Sequence, residues 1–147
     1  MGSESTRRTR GSGAQDSRLI PVAAGILTRG ERILICQRHH SDPYGLEWEF
    51  PGGKIRDGES PEAALKRELR EELAIEAEIG LEVFRLRHRY PDRYVEVVFF
   101  RVDSFRGEPL NGVFEGIEWA RRADLPGYDF LEADRELVER VARGEII

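Results

Sequence analysis

The sequence predicts an α/β domain built on a mixed sheet with flanking helices. Three observations lead there. Short apolar runs of strand length recur along the chain, two stretches keep helical spacing, and no internal repeat or linker divides the 147 residues. The length suits one domain with a real core. Hydrophobic residues make up 39% and charged residues 35%, and no apolar run is long enough to span a membrane.

Residues 1–18 (MGSESTRRTRGSGAQDSR) have almost nothing to bury and read as a disordered tail or an expression remnant. Its four arginines against two acids give +2, so of the chain's −5 the folded part, 19–147, carries −7. That balance argues against a nucleic-acid polymer as partner, and an anionic ligand then needs local basic residues or a metal. No apolar signal segment opens the chain, and the cytoplasm is the expected compartment.

Residues 19–28 (LIPVAAGILT) and 32–38 (RILICQR) are apolar runs joined by Arg29-Gly30-Glu31, the pattern of a hairpin. Gly25 within the first marks a close backbone approach. Cys36, the single cysteine, excludes an internal disulfide and reads as a small buried side chain. A loop with Pro43 and Gly45 follows. Its His39 and His40 read as surface residues, since neighbours in sequence rarely point at one ion. Trp48-Glu49-Phe50 then leads into a Gly-rich turn and a helix over 61–73. Further on, 76–90 is extended in one or two pieces and Pro91-Asp92 makes a turn. The run 93–102 (RYVEVVFFRV) is the strongest strand, 104–112 a loop, 114–120 a short strand with Trp119, and 134–142 a closing helix with Leu137, Val138 and Val141 inward.

The helix over 61–73 carries the chemistry. Ser60 is a good N-cap and Pro61 suits the first helical position. Leu65, Leu69 and Leu73 form one apolar stripe, with Glu68, Glu71 and Glu72 on one flank and Lys66 and Arg70 on the other. Like charges at three- and four-residue spacing near a helix C-terminus are unfavourable. Two unit charges ~4 Å apart repel by ~4 kcal/mol at an effective dielectric of ~20. A hard cation such as Mg²⁺ would reverse that cost; a solvated acidic face with Arg67 paired to Glu71 is the alternative.

Gly53, five residues, Glu59, seven residues, then Arg67-Glu68-Leu69-x-Glu71-Glu72 resembles the signature of the Nudix hydrolases, G-x5-E-x7-R-E-U-x-E-E-x-G-U with U aliphatic. Every fixed position matches except the last glycine, here Ala74, whose role is to let the chain leave the helix. Similarity to the MutT-like branch extends over roughly residues 20–142 through VAAGIL, WEFPGGK, YPDR (90–93) and FLEAD (130–134). The resemblance implies an α/β/α sandwich with a central mixed sheet. It also implies Mg²⁺-dependent hydrolysis, with Mn²⁺ as a substitute ion, of nucleoside triphosphates, normal or damaged, to monophosphate and pyrophosphate. Water attacks the β-phosphorus, and nucleotide-pool sanitation is the expected role.

On this resemblance Glu68, Glu71 and Glu72, with the Gly52 carbonyl, hold metal; Arg67 orients the glutamates; and Glu59 braces the loop or binds metal through water. Lys54 and Arg38 are placed to meet phosphate, with a solvent-facing charge the alternative for Arg38. Related enzymes carry a further glutamate, a metal ligand or base, six residues before the tryptophan of the late strand. Val113 stands there, and Glu115, two residues on, either replaces it or is a surface residue. Phe50 and Tyr90 supply stacking surface for a base, and Arg93 either meets the base edge or pairs at a strand edge.

Asp134 is the informative residue. Asn at this site accompanies 8-oxo-dGTP hydrolysis in the branch, whereas the CTP and methyl-dCTP pyrophosphohydrolases have Asp. An ionised Asp only accepts hydrogen bonds and so favours an amino-bearing base, cytosine or oxidised adenine; capping the last helix is its alternative role. Two other functions compete: a Nudix hydrolase of ADP-ribose, dinucleoside polyphosphates or capped RNA, and a non-catalytic nucleotide-sensing domain. YPDR and FLEAD weigh against the first, and the intact glutamates against the second. The expected assembly is a monomer or homodimer without membrane association.

Overall fold

The structure, a computed structural model, describes residues 18–147. Apart from Arg18, the expected tail lies outside the described residues. In order the chain forms β1 (Leu19–Arg29), β2 (Arg32–Gln37), β3 (Trp48–Glu49), β4 (Gly52–Lys54), α1 (Pro61–Leu73) and β5 (Glu76–Glu78). There follow β6 (Glu82–Tyr90), β7 (Arg93–Val102), β8 (Ser104–Arg106), β9 (Gly116–Arg121) and α2 (Arg135–Ala142). Two 3₁₀ turns, Arg122–Gly127 and Glu132–Asp134, precede α2.

The main sheet runs β3-β2-β1-β7-β6, with β4 also on β1 and β9 also on β2. It is mixed, because β1 and β7 are parallel from Leu19↔Tyr94 to Leu27↔Val102 while the other pairs are antiparallel. One edge of β1 is shared. Its end pairs with β2 through Thr28↔Ile33, and its start pairs with β4 through Ala24↔Gly52. A break in the sheet therefore opens beside residues 25–27, and the Gly25 N–H reaches Pro51 O at 2.9 Å to span it.

Strand alternation divides the core into two layers. Val95, Val97 and Phe99 of β7 join Phe50, Phe130, Leu137 and Val141 on the α2 side. Val98, Phe100 and Val102 join Leu65, Leu69 and Leu73 on the α1 side. The expected sandwich is the observed one, and the leucine stripe of α1 faces the sheet. No helix among the described residues is long and apolar enough to cross a membrane.

Two segments differ from the sequence expectation. Gly52, Gly53 and Lys54 form a strand, because β1 supplies the ladder that a Gly-rich stretch lacks by itself. Residues 104–106, expected as loop, form β8 on β5 through Ala77↔Phe105. Both depend on partners distant in sequence. The α1 termini follow local rules: Ser60 Oγ accepts the Ala63 N–H at 3.1 Å, and Pro61 stands in the first turn. At the other end Ala74 takes φ 59°, ψ 35°, the left-handed conformation that the missing glycine would adopt freely.

Candidate active site

β4 and α1 meet where two glycines allow close approach. A Cβ on Gly52 would sit 2.1 Å from Ala23 O, and one on Gly53 would sit 2.4 Å from Glu68 Cδ. The Gly-Gly step thus lets β4 lie on β1 while the Glu68 carboxylate packs against the Gly53 backbone. Behind it, Arg67 is held on three sides. It donates from Nε to Glu59 Oε2 at 2.6 Å and from Nη2 to Glu59 Oε1 at 2.9 Å and Lys54 O at 3.1 Å. From Nη1 it donates to Glu68 at 2.9 Å and Glu71 at 3.3 Å. Bonding to Arg67 and to the Arg56 N–H holds the Glu59 carboxyl down to about 2.

Glu72 borders this cage through Glu68. Its Oε1 is buried without a hydrogen-bond partner. Burial, then the charges of Glu68 and Glu49, push its carboxyl up to about 9, against a partly offsetting hydrogen bond from the Gly52 backbone. An orphaned buried oxygen, a carboxylate neighbour and an all-oxygen donor set fit a hard divalent cation. Arg67 draws Glu68 and Glu71 to itself, and among the described residues the three carboxylates do not converge within 4.8 Å of one another.

From Glu72 a cavity of about 320 Å³ runs toward the start of α2. Gly52, Gly53, Lys54 and Glu72 line one end, and Phe50, Tyr90, Arg93, Ala133 and Asp134 the other. Its size matches small-ligand sites. The Tyr90 ring lies 5.0 Å from Tyr44, and its hydroxyl accepts the Ala133 N–H at 3.3 Å. Arg93 lies over Tyr90 and Tyr44 at 5.3 and 5.7 Å, with its Nε buried and unpartnered. Among the described residues it makes no ion pair, and its guanidinium lies along the aromatic wall of the cavity.

Asp134 is 6% exposed and makes no capping hydrogen bond to α2. Asp134 lines the cavity, and its side chain does not cap the helix. Burial, then the charge of Glu49, raises it to about 8, against the pull of Arg38. Arg38 is not a solvent-facing charge either. It donates to Pro43 O at 2.8 Å and to Glu49 Oε1 at 3.0 Å while lining the cavity.

The structure does not bring Glu115 to this site. Its Oε1 accepts the His40 N–H at 3.0 Å and meets His40 Nδ1 at 3.0 Å on the outer surface, while Val113 and Phe114 face the cavity. The reason is local. Gly112 N–H donates to Glu72 O and Leu110 N–H to Leu73 O, so the loop closes the open end of α1, and Glu115 N–H then joins Gln37 O. That register leaves Val113, 53% exposed, at the cavity mouth and sets the Glu115 carboxylate against His40.

Sequence reasoning missed Glu49 and Asp42 of the cavity, and Tyr44, which packs on Tyr90 beside it. Glu49 had a readable signal: an acid between two aromatics in a run that enters the core. Asp42 and Tyr44 had none, since their placement depends on how the loop folds back.

The family comparisons agree with this geometry. The model of the NUDIX domain matches residues 19–141. The 8-oxo-dGTP diphosphatase of Haemophilus influenzae is 36% identical over 86% of this chain and 93% of its own length. The CTP pyrophosphohydrolase of Escherichia coli K12 is 37% identical over 83% and 90%. Among solved structures, a MutT NUDIX hydrolase from Burkholderia pseudomallei superposes with a TM-score of 0.77 at 27% identity, covering 85% of this chain and 99% of that one. The chain belongs to the Nudix family. Within it, the chain is a hydrolase of the MutT-like branch.

Proposed function

We propose that this enzyme hydrolyses nucleoside triphosphates, normal or damaged, to monophosphate and pyrophosphate by water attack at the β-phosphorus. The observation that carries this reading is the continuity of the cavity. The Glu72 carboxylate and a glycine backbone stand at one end and an aromatic, hydrogen-bonding chamber at the other, a layout that takes polyphosphate and base together. Relatives named for 8-oxo-dGTP and for CTP, matched at 36% and 37% identity, support the substrate class without choosing the base.

Glu68, Glu71, Glu72 and the Gly52 carbonyl would hold Mg²⁺, with Mn²⁺ able to replace it. The bound ion neutralises the polyphosphate and lowers the pKa of a bound water. Arg67 fixes Glu68 and Glu71 without entering the cavity, and Glu59 fixes Arg67. Lys54, exposed at the cavity's edge, meets phosphate oxygens. Arg38 holds Glu49 and contributes positive potential. Phe50, Val97 and Phe99 exclude water from the base chamber, Tyr90 presents its ring, and Arg93 offers a free N–H to the base edge. Phosphoryl transfer asks little covalent work of the protein, so positioning and charge are what these residues supply.

Asp134 reads the base, and its burial modifies the expected selectivity. Below pH 8 its neutral acid both donates and accepts, so guanine O6 is tolerated beside cytosine N4. The preference for amino-bearing bases belongs to the ionised form. Pyrophosphate release from dCTP, CTP, dATP, dGTP and 8-oxo-dGTP, with ADP-ribose as control, tests the reading. Turnover of triphosphates in Mg²⁺, restored by Mn²⁺ after EDTA, is the expected result; turnover of ADP-ribose alone overturns it.

A further inference from the structure

A second group of ligand-type side chains stands outside the catalytic cavity. After β2 the chain folds back, with Asp42 N–H on His39 O at 3.0 Å and Leu46 N–H on Arg38 O at 2.9 Å. The bend sets the rings of His39 and His40 face to face, their centroids 4.2 Å apart and their planes tilted by 32°. Sequence neighbours that would diverge on a strand are thereby brought together. Glu115, 75 residues further along, comes up beside them from the start of β9, and its carboxylate is oriented by the His40 N–H.

We propose that His39, His40 and Glu115 form a binding site for a borderline divalent metal of the Zn²⁺, Co²⁺ or Ni²⁺ class, separate from the glutamates of α1. One ligand atom from each residue lies within 4.8 Å of the others. Ligands ~2.0–2.2 Å from a zinc ion lie ~3.3–3.5 Å apart, so rotation of exposed side chains closes the set. His40 and Glu115 are 66% and 37% exposed at the side chain, which leaves an entry path and an open position for water. His39 Nδ1 meets Ser41 Oγ at 2.7 Å and accepts the Ser41 N–H at 3.2 Å, so ligation through Nε2 would move the ring proton to Nδ1, which would then donate to Ser41 Oγ.

The donor chemistry separates the two sites. Two imidazoles and a carboxylate select zinc-like ions, whereas the all-oxygen set of α1 suits Mg²⁺. The site also joins two cavity walls from outside. The segment bearing His39 and His40 carries Arg38 and Asp42, and Val113 and Phe114 immediately precede Glu115. A bound ion would tie these two walls together.

The test is Co²⁺ titration followed by visible absorption, and Zn²⁺ calorimetry, on full-length protein free of any added histidine tag and in saturating Mg²⁺. One equivalent is expected to bind. His39→Ala, His40→Ala and Glu115→Gln should each weaken it by at least ~10–100-fold, and Glu71→Gln should not. Binding should weaken as the pH is lowered, because ligation needs unprotonated imidazoles. All three variants change surface side chains, and melting curves confirm their folding. Absence of binding, binding that survives the His39→Ala/His40→Ala double variant, or binding abolished by Glu71→Gln would each overturn the site.

Discussion

Arg67 grips Glu59 with both arms of its guanidinium, at 2.6 and 2.9 Å, across the loop that joins β4 to α1. The fork geometry of Arg against a carboxylate fixes both orientation and distance. Since the same guanidinium also holds Glu68 and Glu71, Glu59 acts on these carboxylates through Arg67 without touching the cavity.

Glu59→Gln should therefore lower kcat by ~10-fold or more while KM changes little, because a misplacement of ~1 Å can cost ~10²-fold. The folded Glu59 carboxyl titrates near 2, below its unfolded value. Its contribution to stability is thus complete at neutral pH and is lost as pH falls from the ordinary carboxylate range toward 2. Acid denaturation curves should be shallower over that window in the variant. Unchanged kcat with only a stability loss would make Glu59 a loop brace alone.

Ala74 gives a second test. A β-carbon in the left-handed region costs ~1–2 kcal/mol, and Ala74 holds φ 59° there while exposed to solvent. Ala74→Gly should raise stability by about 1 kcal/mol after the extra entropy of unfolded glycine is deducted. Denaturant midpoints measure it, and kcat/KM should stay unchanged because the cap touches no cavity residue. A drop in stability would show that the chain bends elsewhere to relieve the cap.

What the sequence made legible was local. Ser60 and Pro61 fix the start of α1, the leucines fix its buried face, and the spacing from Gly53 to Glu72 brings the glutamates to one end of the sheet. What it hid depended on register. Glu115 is two residues from Val113, an even spacing that in a strand would keep one face. The loop on the end of α1 breaks that alternation, and no pattern in residues 107–115 announces hydrogen bonds to Glu72 O and Leu73 O. His39 and His40 read as surface residues, and His40 is exposed; the fold-back after β2 adds only that their rings lie together. Asp134 was assigned its charge as though solvated; its burial, visible only once Phe130 and Leu131 are packed around it, changes that charge.

That change supplies the last prediction. The Asp134 carboxyl, raised to about 8 in the fold, ionises in the unfolded chain near the ordinary aspartate value. Being raised, it contributes stability that is fully present below the unfolded value and is lost as pH rises through that window to about 8. Every pH unit separating the two titrations is worth ~1.4 kcal/mol. Asp134→Asn removes this term, so the variant should gain on wild type in urea midpoint between pH 4 and pH 8, with the difference constant above that. The same titration should reach the base. Below pH 8 the neutral acid can donate to guanine O6; above it, acceptor faces acceptor, and an unpaired or repelled buried group costs ~1–3 kcal/mol. The ratio of kcat/KM for dCTP over 8-oxo-dGTP should therefore rise ~5–150-fold from pH 6.5 to pH 9 in wild type and stay flat in Asp134→Asn. Normalising to the ratio cancels the pH dependence of the metal and phosphate chemistry common to both substrates. If the wild-type ratio is flat while the stability curves cross as described, Asp134 titrates without reading the base. If both are flat, a neighbour such as Arg38 keeps it ionised throughout.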